Sequence, residues 1–361
     1  MGSKCGVVRR TAEDFNEALA QQQLKTRERV HKEMPGKKRN RNGEEATSAD
    51  GAPLSTEFYF PLAQAQQAKE HLRTYGVVVV QGALPAEEAR VALHAIQNWL
   101  AEWTSKGGCP NGNGLVAAGG AGQCEGAWRA RGATGVQDVF ANIWNVPRQD
   151  ALLTSMDALI LWRERTQGVS LHRDRPDSLY LESGSLSSVP RPDGLGVRPI
   201  EPIRLVQSLC VLTKSTAETG GFICCPGENF DRRDDLPWKR VHAQPGDLIC
   251  WDSGCRHGSK PPAPVTPPPV TDMDRAARRQ RLPVGPVQPV RVAVPICMVP
   301  KSWVKQDLLP MRRTLFESGG SANHDSWSVD LFVRHPAPPT RSRAAPDQAD
   351  WWTANMESVF S

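Results

Sequence analysis

Apolar positions in the first third of the chain switch between helical spacing and a continuous run. Ala63 to Tyr75 has a helix-forming composition, and Pro85 to Trp103 carries apolar residues at roughly helical intervals. Between them, Gly76 to Gln81 is an apolar, β-branched run typical of a buried strand. The pattern predicts a helix, a strand and a second helix, in that order.

Later apolar runs are shorter and are separated by turn residues. They are Leu159 to Trp162, Leu205 to Leu212, Thr219 to Gly227, Gly246 to Ser253 and Arg291 to Met298. About nine short strands of this kind can form the two packed sheets of a jelly roll, which holds ligands in its mouth. We therefore predict a mainly β protein of the α+β class, with a double-stranded β-helix (jelly-roll, cupin-like) core and flanking N-terminal helices.

The chain divides into a central domain and two polar tails. Residues 1–55 are polar and basic and predict a disordered tail, in which Glu13 to Lys32 could form a solvent-exposed helix. Residues 56–335 hold the predicted jelly-roll domain, and residues 336–361 form a tail rich in Pro and Arg.

Three long segments without periodicity interrupt the domain. The Gly-rich residues 107–126 predict a mobile loop that could act as a lid. Residues 183–199, rich in Ser, Gly and Pro, predict a loop that helps to select the substrate. Residues 260–289 read as a Pro- and Arg-rich insert, whose deletion should leave the core folded.

Composition indicates an intracellular protein, cytoplasmic or nuclear. No apolar run is long enough to cross a bilayer, and no signal-peptide pattern follows the start. The nine cysteines are scattered and lie partly in apolar strands, which indicates reduced thiols rather than a disulfide frame. The basic cluster Lys37 to Arg41 and the net charge of +5 allow a nucleic-acid partner, although that charge is modest for one. Nothing in the sequence indicates an oligomeric state.

The motif His172-Arg173-Asp174 is the main candidate for chemistry. Side chains two residues apart on an extended segment point the same way, so His172 and Asp174 can face one ion. Non-haem Fe(II) oxygenases bind iron through two imidazoles and one carboxylate on one face of the ion. The candidate third ligand is His257, which follows the apolar run after the Gly246-Asp247 turn; His242, before that turn, is the alternative.

Five segments, in order and approximate spacing, resemble the phytanoyl-CoA dioxygenase-like family of Fe(II)/2-oxoglutarate oxygenases. They are Gly76 to Val80 with Leu84-Pro85, Leu171 to Asp174, Glu218 to Phe222 with Pro226-Gly227, Gly246 to His257, and Arg291 to Pro300. The resemblance runs from about Phe58 to Trp327.

This resemblance implies that His172, Asp174 and His257 hold Fe(II) and that Arg291 pairs with the distal carboxylate of 2-oxoglutarate. An arginine suits that task because its planar fork donates two parallel hydrogen bonds to a carboxylate. Arg291 follows His257 at a longer interval than the family usually has, since the insert lies between them. Arg275 is therefore a rival anchor, less favoured because it lies in a polar segment. Gln207 could face the co-substrate or be an ordinary strand residue.

Residues around the motif have open roles. Trp162, Trp251 and Ser253 could line the pocket, although tryptophans in apolar runs are more often core. Arg173, Arg175 and Asp177 could contact substrate or face water.

The implied activity is hydroxylation of a C–H bond of a small-molecule or acyl substrate with O2 and 2-oxoglutarate. Asp174 favours hydroxylation, since Ala or Gly there would open a position for halide. One alternative is a dioxygenase of the wider superfamily that modifies a nucleobase such as 5-methylcytosine and could use ascorbate in place of 2-oxoglutarate. A second is a catalytically silent jelly roll that only binds a ligand.

Overall fold

Two facing sheets, covered on one side by helices, make up the part of the chain that the computed structural model describes. These residues are 52–110, 112–147, 152–163, 166–174, 188–190, 197–199, 205–227, 237–262, 289–303, 308–322, 324 and 331–333. The N-terminal helix prediction over Glu13 to Lys32, the basic cluster Lys37 to Arg41, most of the 260–289 insert and the tail 336–361 lie outside them.

The first two helices of the domain begin close to where the apolar spacing predicts, and three further helices follow. They are α1 Ala65–Tyr75, α2 Ala86–Ser105, α3 Glu125–Gly132, α4 Thr134–Trp144 and α5 Leu308–Glu317, with short 3-10 helices at Thr56–Phe58, Leu62–Gln64, Ala121–Gln123 and Lys301–Trp303. The predicted helix, strand and helix at the start of the domain are confirmed. None of the helices in the described residues is both long and apolar enough to span a membrane.

The strands are short, as the punctuated apolar runs predict. They are β1 Tyr59–Pro61, β2 Val77–Gln81, β3 Leu115–Val116, β4 Leu152–Thr154, β5 Leu159–Trp162, β6 Val169–His172, β7 Ser188–Pro190, β8 Val197–Pro199, β9 Val206–Val211, β10 Gly221–Cys224, β11 Lys239–Arg240, β12 Leu248–Asp252, β13 His257–Lys260, β14 Arg291–Pro300, β15 Ser321–Ala322 and β16 Leu331–Val333.

The order of the strands defines the fold. The large sheet runs β1-β2-β12-β9-β14-β5-β3, with β4 also paired to β14, and the small sheet runs β11-β10-β13-β6. From β5 to β14 the chain passes repeatedly between the two sheets, which places β5, β9, β12 and β14 in one and β6, β10, β11 and β13 in the other. This crossing pattern is that of a jelly roll, so the predicted fold class is confirmed.

The large sheet is buried on both faces. On β14, Val292 and Val294 pack with residues of the helices in one apolar cluster, so the alternation of side chains turns Arg291 and Ala293 toward the small sheet. A second cluster fills the space between the sheets and includes Leu209, Phe222 and Trp251. Burial on both faces explains why these strands read as apolar runs rather than as alternating patterns.

The Gly-rich segment 107–126, predicted as a mobile loop, includes short regular elements. It contains β3, which pairs with β5, and the turn at Ala121–Gln123 before α3. Its glycines permit close packing, because a Cβ at Gly108 or Gly119 would collide with the Trp103 ring. The carbonyl of Gly119 also accepts a hydrogen bond from the indole of Trp99 at 3.0 Å. The described part of this segment therefore packs closely against α2.

Two further predicted segments contain ordered contacts. At the end of the predicted tail 1–55, Leu54 is buried and its amide donates to the carbonyl of Arg240 at 2.8 Å. Within the predicted loop 183–199, β7 and β8 pair as a short antiparallel ribbon. The eight cysteines among the described residues are free thiols.

Gly246, in the turn before β12, offers a test of the barrel's construction. Its φ is +94°, and a Cβ there would collide with the Leu84 carbonyl. We expect Gly246→Ala to lower the free energy of unfolding by about 3 kcal/mol or more, since strain and a backbone clash add. The matched control is Gly82→Ala, where φ is +66° but no atom lies within 4 Å of the new Cβ; it should cost only about 1–2 kcal/mol. Equal losses in denaturant titrations would contradict the proposed clash.

Candidate metal and co-substrate site

His172 and His257 meet where β6 ends and β13 begins. The two residues are direct partners in the small sheet, and their ring centroids lie 4.5 Å apart. The Nε2 atoms of His172 and His257 are 3.8 and 3.5 Å from the two carboxylate oxygens of Asp174. One ligand atom from each of the three residues lies within 4.8 Å of the others. Neighbouring ligands of one ion sit about 3 Å apart when each bond is about 2.0–2.2 Å, so a small inward movement would close the group on a metal.

Both imidazoles are oriented by the backbone. The Nδ1 of His172 lies 2.8 Å from the Ser170 carbonyl, and that of His257 lies 2.9 Å from the Cys255 carbonyl. A carbonyl can only accept, so each Nδ1 carries a proton, and Nε2 is the nitrogen that holds the lone pair in the neutral ring. Metal-binding histidines are typically held in this way. The two Nε2 atoms face the Asp174 carboxylate with lone pairs available to an ion.

Asp174 is held by both its backbone and its side chain. Its amide donates to the Ser253 carbonyl at 3.2 Å, and its Oδ2 accepts a hydrogen bond from Gln207 Nε2 at 2.7 Å. Burial acts to raise the pKa of this carboxyl, but the imidazoles of His257, His324 and His172 and the Gln207 hydrogen bond outweigh it and lower the pKa. The carboxylate is thus ionised, as a metal ligand must be.

His257 is the most enclosed member of the group. Its ring packs against Trp251, with centroids 5.1 Å apart, and against Phe222 at 5.9 Å. Burial lowers the pKa of His257 to about 4. The imidazole is therefore neutral near pH 7, which again is the protonation state that metal binding requires.

Arg291 carries a buried guanidinium with no hydrogen-bond partner among the described residues. The side chain is fully buried, and its Nε and both terminal nitrogens are unpaired. Its central carbon lies 4.8 Å from the centre of the Trp162 ring. Burial lowers the pKa of Arg291 to about 10, so it remains charged at neutral pH. An unpaired buried charge is costly, and an anionic ligand would remove that cost.

Strand β13 links the neighbourhoods of Arg291 and His257. At one end of this strand His257 pairs with His172; at the other, Lys260 pairs with Gly221. A Cβ added at neighbouring Gly220 would touch both Lys260 and the Trp162 ring on which Arg291 stacks. The three steps from His257 to Lys260 span about 10 Å. A five-carbon dicarboxylate, with the reach of an arginine side chain, suits such a separation.

The other sequence candidates fall into distinct groups. His242 is exposed and its carbonyl accepts a hydrogen bond from Tyr59 at 2.9 Å, and it does not belong to the cluster of possible metal ligands. Arg275, Arg175 and Asp177 lie outside the described residues. Trp162 and Trp251 are buried beside Arg291 and His257. Gln207 is a buried residue that contacts Asp174.

His324 is a nearby residue that the sequence interpretation did not include. Its Nε2 lies 4.0 Å from Asp174 Oδ2. The strand before it, β15, is attached to the body of the domain, because the amide of Ala322 donates to the Met156 carbonyl and that of Gly122 donates to Ser321 Oγ. No local motif signals this approach, since His324 and Asp174 lie far apart in the sequence.

No protein-family model and no curated protein matches this chain. Some of the solved structures that resemble it are described as non-heme enzymes or as complexes with a metal. The non-heme monooxygenase ThoJ, as a nickel complex, is 16% identical over 64% of this chain and 76% of its own, with a TM-score of 0.42. The epimerase SnoN, in complex with Fe3+, alpha ketoglutarate and nogalamycin RO, is 15% identical over 66% and 84%, at 0.43. EctD from S. alaskensis with bound Fe is 14% identical over 70% and 79%, at 0.39. Strand order, rather than these distant likenesses, defines the fold described above.

Proposed function

We propose that this protein is an Fe(II)- and 2-oxoglutarate-dependent oxygenase that hydroxylates a C–H bond of a small-molecule or acyl substrate. Within that class, the sequence motifs favour the phytanoyl-CoA dioxygenase-like branch. The observation that carries the proposal is a pair of features inside one jelly roll. A group of two imidazoles and a carboxylate lies at one end of β13, and a buried guanidinium with no hydrogen-bond partner among the described residues lies near the other.

The residues fit iron with respect to donor type and protonation. His172 and His257 turn Nδ1 to a backbone carbonyl and present Nε2 to an ion, and Asp174 offers an ionised carboxylate, the donor set of the non-haem Fe(II) oxygenases. When bound, iron would couple oxidation of a substrate C–H bond to decarboxylation of 2-oxoglutarate, with O2 consumed and the alcohol, succinate and CO2 formed. The protein's share is to hold the three donors and keep their protonation states.

Arg291 would bind the distal carboxylate of 2-oxoglutarate. Its three unpaired nitrogens supply donors in a fixed planar arrangement that matches a carboxylate. Trp162 stacks on the guanidinium and limits its orientations. Because the guanidinium is already desolvated, binding a dianion there forms charge-assisted hydrogen bonds without a further dehydration of the arginine.

The proposal is tested by succinate release from 2-oxoglutarate by the purified protein, with and without Fe(II). We expect iron-dependent succinate formation even without substrate, at the slow rate of uncoupled turnover. No succinate release and no metal binding would instead support a silent jelly roll. Turnover that depends on ascorbate and not on 2-oxoglutarate would support the nucleobase-modifying alternative, whose sequence support, the basic cluster and the arginine-rich insert, lies outside the described residues.

Gln207 allows a test of how the carboxylate is held. Gln207→Leu removes the hydrogen bond to Asp174 Oδ2, and we expect Fe(II) affinity to fall about tenfold to a hundredfold, as for other residues that orient a metal ligand. The adjacent Ser208→Ala is the control, since Ser208 bonds the Ile296 carbonyl. It should leave the affinity unchanged. If both variants bind Fe(II) like the wild type in competition with a chelator, Gln207 does not orient the ligand.

A further inference from the structure

The face of the large sheet that packs against the small sheet carries, besides Arg291, a second hydrogen-bond donor without a partner among the described residues. The indole Nε1 of Trp251 is buried and makes no hydrogen bond. Buried tryptophan N–H groups usually find a partner. Trp144 illustrates the usual case, because its Nε1 donates to the Met298 carbonyl at 2.7 Å. The Trp251 donor is thus an exception that calls for a physical cause.

Trp251 stands directly beside the candidate metal group. Its ring packs on that of His257, with centroids 5.1 Å apart. Across the sheet its partner is Gln207, whose Nε2 donates to Asp174. Directly opposed side chains on one face of a sheet are neighbours. Trp251 therefore lies at the metal end of the interior, whereas Arg291 lies toward the other end, near Lys260 and Trp162.

We infer that the Trp251 indole N–H donates a hydrogen bond to the keto-acid end of bound 2-oxoglutarate, the end next to the metal. This inference rests on the proposed function. The chemistry is complementary, because the N–H can only donate and a carboxylate can only accept. Arg291 and Trp251 then serve opposite ends of one molecule. Gln207 Oε1, also buried and unpaired, is an acceptor and cannot take this role.

The first test uses the thermal stability of the protein without metal or co-substrate. Trp251→Phe removes the N–H and keeps an aromatic ring. Both substitutions remove the same part of a buried ring, but no described residue accepts a hydrogen bond from the Trp251 N–H. We therefore expect Trp251→Phe to lower Tm less than the matched control, Trp144→Phe, which in addition leaves the Met298 carbonyl without its donor. A fall for Trp251→Phe equal to that for Trp144→Phe would mean that the N–H is satisfied within the fold, and would overturn the inference.

The second test is calorimetric binding to the Co(II)-loaded protein, with 2-oxoglutarate and oxalate as probes. Oxalate resembles the keto-acid end and lacks the distal carboxylate. Trp251→Phe should weaken both ligands about tenfold to a hundredfold, the effect of one lost hydrogen bond to a charged group. Arg291→Met should weaken 2-oxoglutarate alone, and Trp144→Phe neither. Unchanged oxalate binding by Trp251→Phe overturns the inference, whereas a wild-type protein that binds neither Co(II) nor 2-oxoglutarate overturns the proposed function itself.

Discussion

Asp174→Ala is expected to abolish Fe(II) binding and all 2-oxoglutarate turnover. Among the described residues, Asp174 supplies the carboxylate of the group and the negative charge that would compensate a divalent ion there. Removing a residue that only orients a metal ligand typically lowers metal affinity about tenfold to a hundredfold. Removing the ligand itself should therefore lower Fe(II) affinity by more than about a hundredfold. His172→Ala should have the same effect. Equilibrium dialysis with Fe(II) under anaerobic conditions, alongside succinate release, measures both outcomes.

The loss should not come from unfolding. Asp174 lies two residues beyond the end of β6, and its side chain is part of neither of the two main apolar clusters. Far-UV circular dichroism of Asp174→Ala should match the wild type. His242→Ala is the control, because this exposed histidine lies outside the ligand group and its replacement should leave Fe(II) binding intact. Retained binding by Asp174→Ala together with loss in His242→Ala would reverse the ligand assignment.

Arg291→Met is expected to weaken 2-oxoglutarate binding by at least about a hundredfold, since a buried ion pair with two charge-assisted hydrogen bonds is lost. Arg291→Lys keeps a charge but loses the planar fork, and should cost about tenfold to a hundredfold. The free protein should respond in the opposite direction. Met fills similar space without a buried charge, and replacing a desolvated ion by a well-packed apolar group is often stabilising.

These opposite effects on co-substrate affinity and on stability distinguish a binding role of Arg291 from a structural one. Arg291→Met should raise the Tm of the protein without co-substrate while it raises the KM for 2-oxoglutarate. Arg275→Lys, the rival suggested by sequence spacing, should alter neither quantity. A loss of stability in Arg291→Met with unchanged KM would show that the guanidinium supports the fold instead. Loss of affinity in the Arg275 variant alone would move the anchor into the insert.

The fold could be predicted from the sequence because buried strands and helices leave recognisable patterns of apolar residues. Val77 to Val80 is apolar on both faces, since β2 lies between the helices and the small sheet, and a short apolar run of this kind has few other uses. The helix α4 left a comparable trace in Val136, Val139, Phe140 and Ile143, whose intervals match one helical face, yet it was not predicted. The glycines that precede this helix favour a loop when only the local composition is considered.

The Gly-rich segment shows what pattern alone cannot provide. Gly108 and Gly119 were interpreted as flexible, but both lie against the ring of Trp103. Whether a glycine marks mobility or close approach depends on a partner distant in sequence, and periodicity carries no information on that partner. His324 was missed for the same reason.

Within the site, residue types were more informative than their detailed roles. His172, Asp174 and His257 could be grouped because two imidazoles and a carboxylate are a known donor set, and the structure brings them within reach of one another. The role of Gln207 could not be chosen from sequence, since only the geometry reveals its hydrogen bond to Asp174. The unpaired nitrogens of Arg291 and Trp251 are likewise invisible without burial and contacts.

The most direct measurement is an anaerobic titration of the protein with Fe(II) and 2-oxoglutarate, followed by visible absorption. Chelation of Fe(II) by the keto acid gives a charge-transfer band that neither component gives alone. We predict that the wild-type protein develops this band at one equivalent of each, that Asp174→Ala does not, and that Arg291→Met needs far more 2-oxoglutarate. Absence of the band in wild-type protein at saturating Fe(II) and 2-oxoglutarate would contradict the assignment of an iron and 2-oxoglutarate site.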